Sequence, residues 1–245
     1  MNLKTLSVAI LATSMTLFSC QQEESDIPNQ QINLDKFQSE WLNADLNQVL
    51  SGKEMNFYIS DNQLQNVVQP KEAYQVRFIP GFINGDLHFK VVSIDQFGTI
   101  LSEETVAQQT ELKLGVQVNK LRDQQLLERN IPSTVKKHIM TYALADQFIT
   151  AFHNKAKPNI NEITSYNGDR IRHFAYTPEV VKDMIANPAE GFSLSLGVNQ
   201  EDKLTTVFIP LQGNEVINTK EGGSAYDFTQ PCPNTCDPPT NSDPE

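Results

Sequence analysis

Three cysteines, four histidines and one tryptophan are spread over 245 residues. No two of His88, His138, His153 and His173 share a metal-ligand spacing on one element, and no second Cys or His cluster exists to complete four ligands. No metal or other cofactor is therefore expected. Basic runs and aromatic–basic interleaving are absent. The formal charge is −11, so nucleic-acid phosphate repels the chain and nucleic-acid binding is excluded. Beyond the first twenty residues no stretch is apolar enough to span a bilayer, which takes roughly 20 apolar residues. Paired carboxylates suited to acid–base chemistry are missing as well. Glu103, Glu104, Glu201 and Asp202 read as solvated turn residues.

What is present begins at the N-terminus. Lys4 opens a short positive region, and Leu6 to Phe18 is apolar apart from hydroxyl residues. That is the size of a signal-peptide core and too short for a membrane span. The segment closes on Leu17-Phe18-Ser19-Cys20, which resembles the bacterial lipobox. The resemblance implies that residues 1–19 are removed and that Cys20 carries the acyl chains, palmitate-type lipid among them. Two or three chains anchor far more firmly than one, at about 0.8 kcal/mol per buried CH₂. Only Lys4 leaves with the first nineteen residues, so the remaining 226 carry 18 basic and 30 acidic side chains, a charge of −12. Residues 20–31, with Gln21-Gln22-Glu23-Glu24-Ser25-Asp26, read as an acidic tether. They also resemble the export signals of Bacteroidota-type outer-membrane lipoproteins.

The body reads as an α+β fold. A helix is expected over Ile32 to Leu50, with Leu34, Phe37, Trp41 and Leu42 on one face. Trp41 there belongs to the core rather than to a carbohydrate platform. Strand Asn56–Ser60 follows, then a helix capped by Ser60 or Asp61 and carrying Leu64, Val67 and Val68. Strand Tyr74–Pro80 turns at Asn84-Gly85-Asp86 into strand Leu87–Ile94, and a further strand starts near Thr99. Glu111 to Val118 reads as extended and Leu121 to Arg129 as helical. The earlier order then returns: helix Thr141–Asn154, strand Arg170–Tyr176, a capped helix after Thr177-Pro178-Glu179, strand Phe192–Val198 and strand Leu204–Leu211.

Superposing the halves at an offset of 117 or 118 pairs Phe57 with Phe174, Ser60 with Thr177, and Leu64 with Val181. Tyr74, Val76 and Phe78 then meet Phe192, Leu194 and Leu196. Leu87 and Val91 meet Leu204 and Phe208. This order describes two tandem helix–strand–helix–strand–strand units with antiparallel hairpins packed on helices, over 32–118 and 119–220. With three strands and one helical layer each, neither unit is expected to be stable alone. A shared core built about a pseudo-twofold axis follows. Pro80 and Pro210 cannot donate to a ladder, so each is expected to mark a strand end or edge.

Residues 221–245 form a Pro-rich tail. Cys232 and Cys236 lie in Pro231-Cys232-Pro233-Asn234-Thr235-Cys236. In an oxidising compartment the leading reading is a local disulfide, worth about 2 kcal/mol for so short a loop. The rival is half of a metal site, which lacks the further ligands, and a redox pair is a third reading, against which stands the three-residue spacing. From His138 through Arg172-His173-Phe174 and Gly191-Phe192-Ser193-Leu194-Ser195-Leu196-Gly197 to the two-cysteine tail, the second half resembles an uncharacterised group of Bacteroidota-type lipoproteins. The resemblance implies lineage and location, not an activity.

Two chemical motifs remain. Ser133-Thr134-Val135-Lys136 has the spacing of penicillin-recognising enzymes, but the polar triplet and Lys-Thr-Gly strand they need do not follow, and a helix start capped by Ser133 explains it. Arg170, Arg172 and His173 are the one local basic cluster. They read as the solvent face of a strand, with an anion or glycan contact as the functional alternative. His88 and His173 are expected at exposed positions. The chain thus reads as a lipid-anchored envelope protein at the outer membrane, on its surface or periplasmic face. A binding or interaction module for a protein or glycan partner is expected; the alternative is an envelope hydrolase with its site between the units.

Overall fold

The computed structural model describes residues 33–50, 55–106, 108–109, 114–126, 130–218 and 223–227, and the backbone of 231–232. Cys20 and Cys236 lie outside these residues, as does Gly52, a candidate helix stop. Of Cys232 only the backbone is described. Among the described residues no helix is long and apolar enough to cross a membrane.

The chain begins with helix α1 (Leu34–Asn43), started by the Asn33 side chain, which accepts from the Asp35 and Lys36 amides. Where one helix to Leu50 is expected, Ala44 turns extended and a second helix, α2 (Leu46–Leu50), follows. Strand β1 (Asn56–Ser60) leads into α3 (Asp61–Val68). There Ser60 and Gln63 form a reciprocal capping box. Strands β2 (Gln75–Ile83) and β3 (Asp86–Ile94) are joined by Asn84 (φ 54°) and Gly85 (φ 89°), the left-handed pair of a tight hairpin. Strand β4 (Ile100–Val106) completes this half.

Next comes α4 (Leu114–Leu121), which replaces the extended segment expected over 111–118. Leu114, Val116 and Val118 fit a strand period. Leu114, Val118 and Leu121 fit a helix equally, and the helix is selected because that stripe packs with residues of the later helix around Phe148 and Ile149 while Val116 stays exposed. Arg122 and Asp123 turn and 124–126 are irregular, so the helix expected from Leu121 is not formed there. The short α5 (Ser133–Lys136) has Pro132, not Ser133, at its N-cap. Strand β5 (Ile139–Met140) precedes α6 (Tyr142–Ile163), capped by Thr141 and kinked at Asn159 after Pro158. A small hairpin, β6 (Ser165–Tyr166) and β7 (Asp169–Arg170), is followed by β8 (His173–Tyr176), α7 (Pro178–Ile185), β9 (Gly191–Val198), β10 (Leu204–Gln212), β11 (Glu215–Val216), β12 (Ala225–Asp227) and β13 (Pro231–Cys232).

The halves exchange strands. One sheet runs β1-β9-β10-β12-β5 and the other β13-β8-β2-β3-β4, all antiparallel. Thus β1 of the first half completes the hairpin of the second, and β8 of the second completes the hairpin of the first. The registers obey a single mapping, with 117 added for β1 and β3 and 116 for β2. Phe57↔Leu194 maps onto Phe174↔Phe78, and Ile59↔Phe192 onto Tyr176↔Val76. Leu194↔Phe208 maps onto Phe78↔Val91. The offset of 118 expected for β2 is therefore two residues too large. Tyr74 has no place in the strand and is exposed, and Val76, not Tyr74, is the counterpart of Phe192. An offset of 111 aligns α1 with the first part of α6, placing Asp35, Phe37, Trp41 and Asn43 on Asp146, Phe148, Phe152 and Asn154. Beyond the break it rises to 114, placing Leu46, Asn47 and Val49 on Ile160, Asn161 and Ile163.

The two sheets touch at one edge. Past β4, Gln108 bridges Phe57 and the Gln109 amide donates to the Asn56 carbonyl. Past β12, the chain re-enters as β13 beside β8. The space between the two sheets is filled by rings: Phe57 on Phe89 at 5.0 Å, Phe78 on Phe208 at 4.9 Å, and Tyr176 on both Phe78 and Phe208 at under 6 Å. Outside, α6 and α4 cover Val207, Ile209 and Leu211. Pro80 and Pro210 lie within strands rather than at their ends. Each sits just past the point where a neighbour stops, β8 at Phe78 and β12 at Phe208, so no ladder donor is missed.

Candidate functional site

The register correspondence gives a ruler for what one half has and the other lacks. From Val49 to Asn56 is seven steps; from the matching Ile163 to His173 is ten. The three extra residues sit in the β6–β7 hairpin. Its turn is Asn167 (φ 49°) and Gly168 (φ 90°), the same Asn-Gly chemistry as Asn84-Gly85. Insertions in one copy of a repeat commonly form its binding loops.

The hairpin is held rigidly. Tyr166 donates its hydroxyl to Glu201 Oε2 at 2.8 Å. Burial and that carboxylate push the phenol up to about 12. Lys203 lies 5.3 Å over the Tyr166 ring and donates to the Glu162 carbonyl at 3.0 Å. Both anchors come from the β9–β10 connection. On the other side, Trp41 Nε1 donates to the Ile171 carbonyl at 2.7 Å and Gln38 Nε2 to the Arg172 carbonyl at 3.0 Å.

Arg170 is not a solvent-face residue. Its Nη1 donates to the Trp41 carbonyl at 3.0 Å and the Ala44 carbonyl at 2.8 Å, capping α1, whose C-terminal end attracts a cation. Nη2 donates to Asn161 Oδ1 at 3.2 Å, which leaves the Asn161 amide nitrogen as a donor. Burial lowers the Arg170 pKa, and Asp45 opposes this. Arg172 differs: half-buried, its guanidinium has no hydrogen bond or ion pair among the described residues.

Between α1, α6 and the hairpin lies a cavity of about 440 Å³, lined by Asn161, Ser165, Gly168, Asp169, Arg170 and Arg172, with Leu42 at one side. Asn161 also lines a neighbouring cavity of about 240 Å³ with Asn47, Asn159 and Glu162. Asn47 and Asn161 are equivalents in the duplication, so this polar groove lies where the two helix breaks meet.

The other sequence candidates lie elsewhere. His173 is buried rather than exposed. It sits 2 % exposed on the sheet's outer side, with a pKa lowered to about 3 by burial and by Arg77 and Arg172. His88 is half-buried. Among the described residues no three His, Cys, Asp or Glu side chains converge as a metal site. The acids expected in solvated turns have partners: Glu103 pairs with Lys90, Glu104 accepts from Asn66, Glu201 accepts from Tyr166, and Asp202 pairs with Lys155. Glu103 and Glu104 belong to β4 rather than to a turn. Ser133 and Lys136 occupy the short α5, away from the groove. A second polar group lies around β12. Tyr226 donates to Asp183 Oδ2 at 2.7 Å, Asn187 donates to the Tyr226 hydroxyl, and His138 Nδ1 lies 3.2 Å from the Asp227 carbonyl. Burial raises the Asp227 carboxyl to about 7. These bonds tie α7 and the start of β5 to β12.

No family model, no curated protein and no solved structure matches this chain.

Proposed function

We propose that the protein is a lipid-anchored binding module of the cell envelope. The acyl chains on Cys20 hold it at the outer membrane, and the groove beside the β6–β7 hairpin receives the ligand. The observation that carries this reading is the inserted, braced hairpin, beside which the Arg172 guanidinium, unpaired among the described residues, faces a polar groove. Such a hairpin is not needed to close the duplicated core, because the first half reaches its strand in three fewer residues.

The groove opens to solvent, and its carboxylates Asp169 and Glu162 are both exposed. That favours recognition over the hydrolase alternative, because general-acid chemistry needs a carboxyl set apart from its partner by environment. Fractions of envelope glycan and peptide are to be tested for raising the melting temperature of the parent and of Arg172→Glu protein. A fraction stabilising only the parent supports the reading, and cleavage of that fraction during incubation would restore the hydrolase. If no fraction discriminates the two proteins, the groove is not the binding face. Anchoring is tested by membrane fractionation and acyl labelling: Cys20→Ala protein should keep its leader, take up no acyl label and be lost from the outer-membrane fraction.

A further inference from the structure

Resting on the groove as the binding face, its donors and acceptors define a ligand class. We infer that it takes an acidic sugar, a uronate-like residue within a glycan, whose carboxylate pairs with Arg172.

Among the described residues the guanidinium of Arg172 is the groove cation left uncommitted, since Arg170 spends Nη1 on two carbonyls and Nη2 on Asn161. A planar guanidinium matches a carboxylate in bidentate fashion. Around it the wall is made of neutral or acceptor groups. Asn161 offers an amide donor, Ser165 a hydroxyl, and Asp169 a carboxylate. In the adjoining cavity Asn47, Asn159 and Glu162 repeat that pattern. Amides and carboxylates alternating at this density suit a ligand rich in hydroxyls, each of which donates and accepts. A phosphate dianion brings a second negative charge beside Asp169 and Glu162 and no array of hydroxyls to answer the amide walls. A purely neutral sugar would leave Arg172 unpaired, and a simple carboxylate would leave the second cavity unused. One carboxylate plus several hydroxyls satisfies every wall.

The braces make this a preformed site. Tyr166–Glu201, Lys203–Glu162 and Trp41–Ile171 fix the hairpin from three sides, so little ordering accompanies binding. Trp41, the sole tryptophan, touches both Arg170 and Ile171 and offers a fluorescent readout behind the groove wall.

The test uses the full-length acylated protein in detergent, titrated calorimetrically and by Trp41 emission with trigalacturonate, a neutral galactose trimer, acetate and inorganic phosphate. Expected is saturable trigalacturonate binding, at least tenfold tighter than the neutral trimer or phosphate, weakened tenfold or more by Arg172→Gln and by added salt. Asp169→Asn should weaken the trimer without affecting acetate. Arg172 makes no hydrogen bond through its guanidinium among the described residues, so the variant should fold, which its melting curve checks. Equal binding of neutral and acidic trimers, abolished by Asn161→Ala, would overturn the acidic class and leave the groove as a binding face. Trigalacturonate binding unchanged in Arg172→Gln, or no binding of any probe, overturns the inference.

Discussion

The packing of α1 on its sheet makes a sharp prediction at Gly81. A Cβ built there would lie 2.4 Å from Phe37 Cδ1 and Cε1 and 2.6 Å from Cγ. The backbone of Gly81 is not in the left-handed region, so the objection to a side chain is contact alone. Phe37 is 1 % exposed and has Lys90 Nζ 5.8 Å from its ring centre. The ring cannot yield without giving up burial or tilting the helix. Overpacking of this kind costs about 1–3 kcal/mol, and full displacement of a buried Phe about 3–5 kcal/mol. Gly81→Ala should therefore lose about 3 kcal/mol, or roughly 6–12 °C in melting temperature for a body of this size. Denaturant unfolding at constant slope measures it. With Phe37→Ala already in place, the same substitution should add less than about 0.5 kcal/mol, since the contact is gone. At the equivalent Gly197 the nearest atoms would be 3.0–3.3 Å away, so Gly197→Ala should cost less than half as much. A neutral Gly81→Ala, or an undiminished loss in the Phe37→Ala background, would refute the packing argument.

Three further outcomes follow from the same geometry. Asp227 is raised to about 7 by burial, so the folded state binds a proton that the unfolded state releases near pH 4. Its contribution is therefore fully present at acid pH and lost as pH rises from about 4 through 7, and Asp227→Asn should gain on the parent in urea melts as pH rises across that window. Arg170→Met uncaps the Trp41 and Ala44 carbonyls; a loss of about 2 kcal/mol and a shifted Trp41 emission are expected, and an unchanged melting curve would deny the capping role. Residues 33–118 and 119–245, produced separately, should each lack cooperative unfolding by circular dichroism but regain it when refolded together, because β1 and β8 lie in each other's sheets.

Much of the fold was legible because its signals are local. Ser60 and Thr177 announce their helices, Asn84-Gly85 its turn, and Phe192-Leu194-Leu196 its buried face. The strand exchange was not legible, since a hydrophobic strand face does not say which hairpin it completes. Leu114 to Val118 satisfies two periods at once, and only the packed neighbour α6 decides between them. The placement of Tyr74 opposite Phe192 failed because similar aromatics pair well on paper, whereas register is set by the ladders, two residues away. In the candidate site, Arg170 and Arg172 stood out in sequence as a basic cluster. Their division of labour did not, because it depends on carbonyls 126 and 129 residues distant. The Asn167-Gly168 signal was readable and marks the inserted hairpin.

Asymmetry between the two corresponding halves is what separates architecture from function here. Equivalent positions that keep their character, such as Phe37 and Phe148, Trp41 and Phe152, or Gly81 and Gly197, are tied to the core by burial and close contact. A change in any of them must be answered across the interface. The three extra residues of the second half carry no such obligation, yet Tyr166, Glu201, Lys203 and Trp41 all spend bonds on fixing that hairpin. Bracing a surface loop from several elements lowers the entropy lost when a ligand docks, whereas a loop that merely connects gains nothing from it. The groove that this loop makes with the paired helix breaks is thus the place where the second copy departs from the first for a reason other than folding.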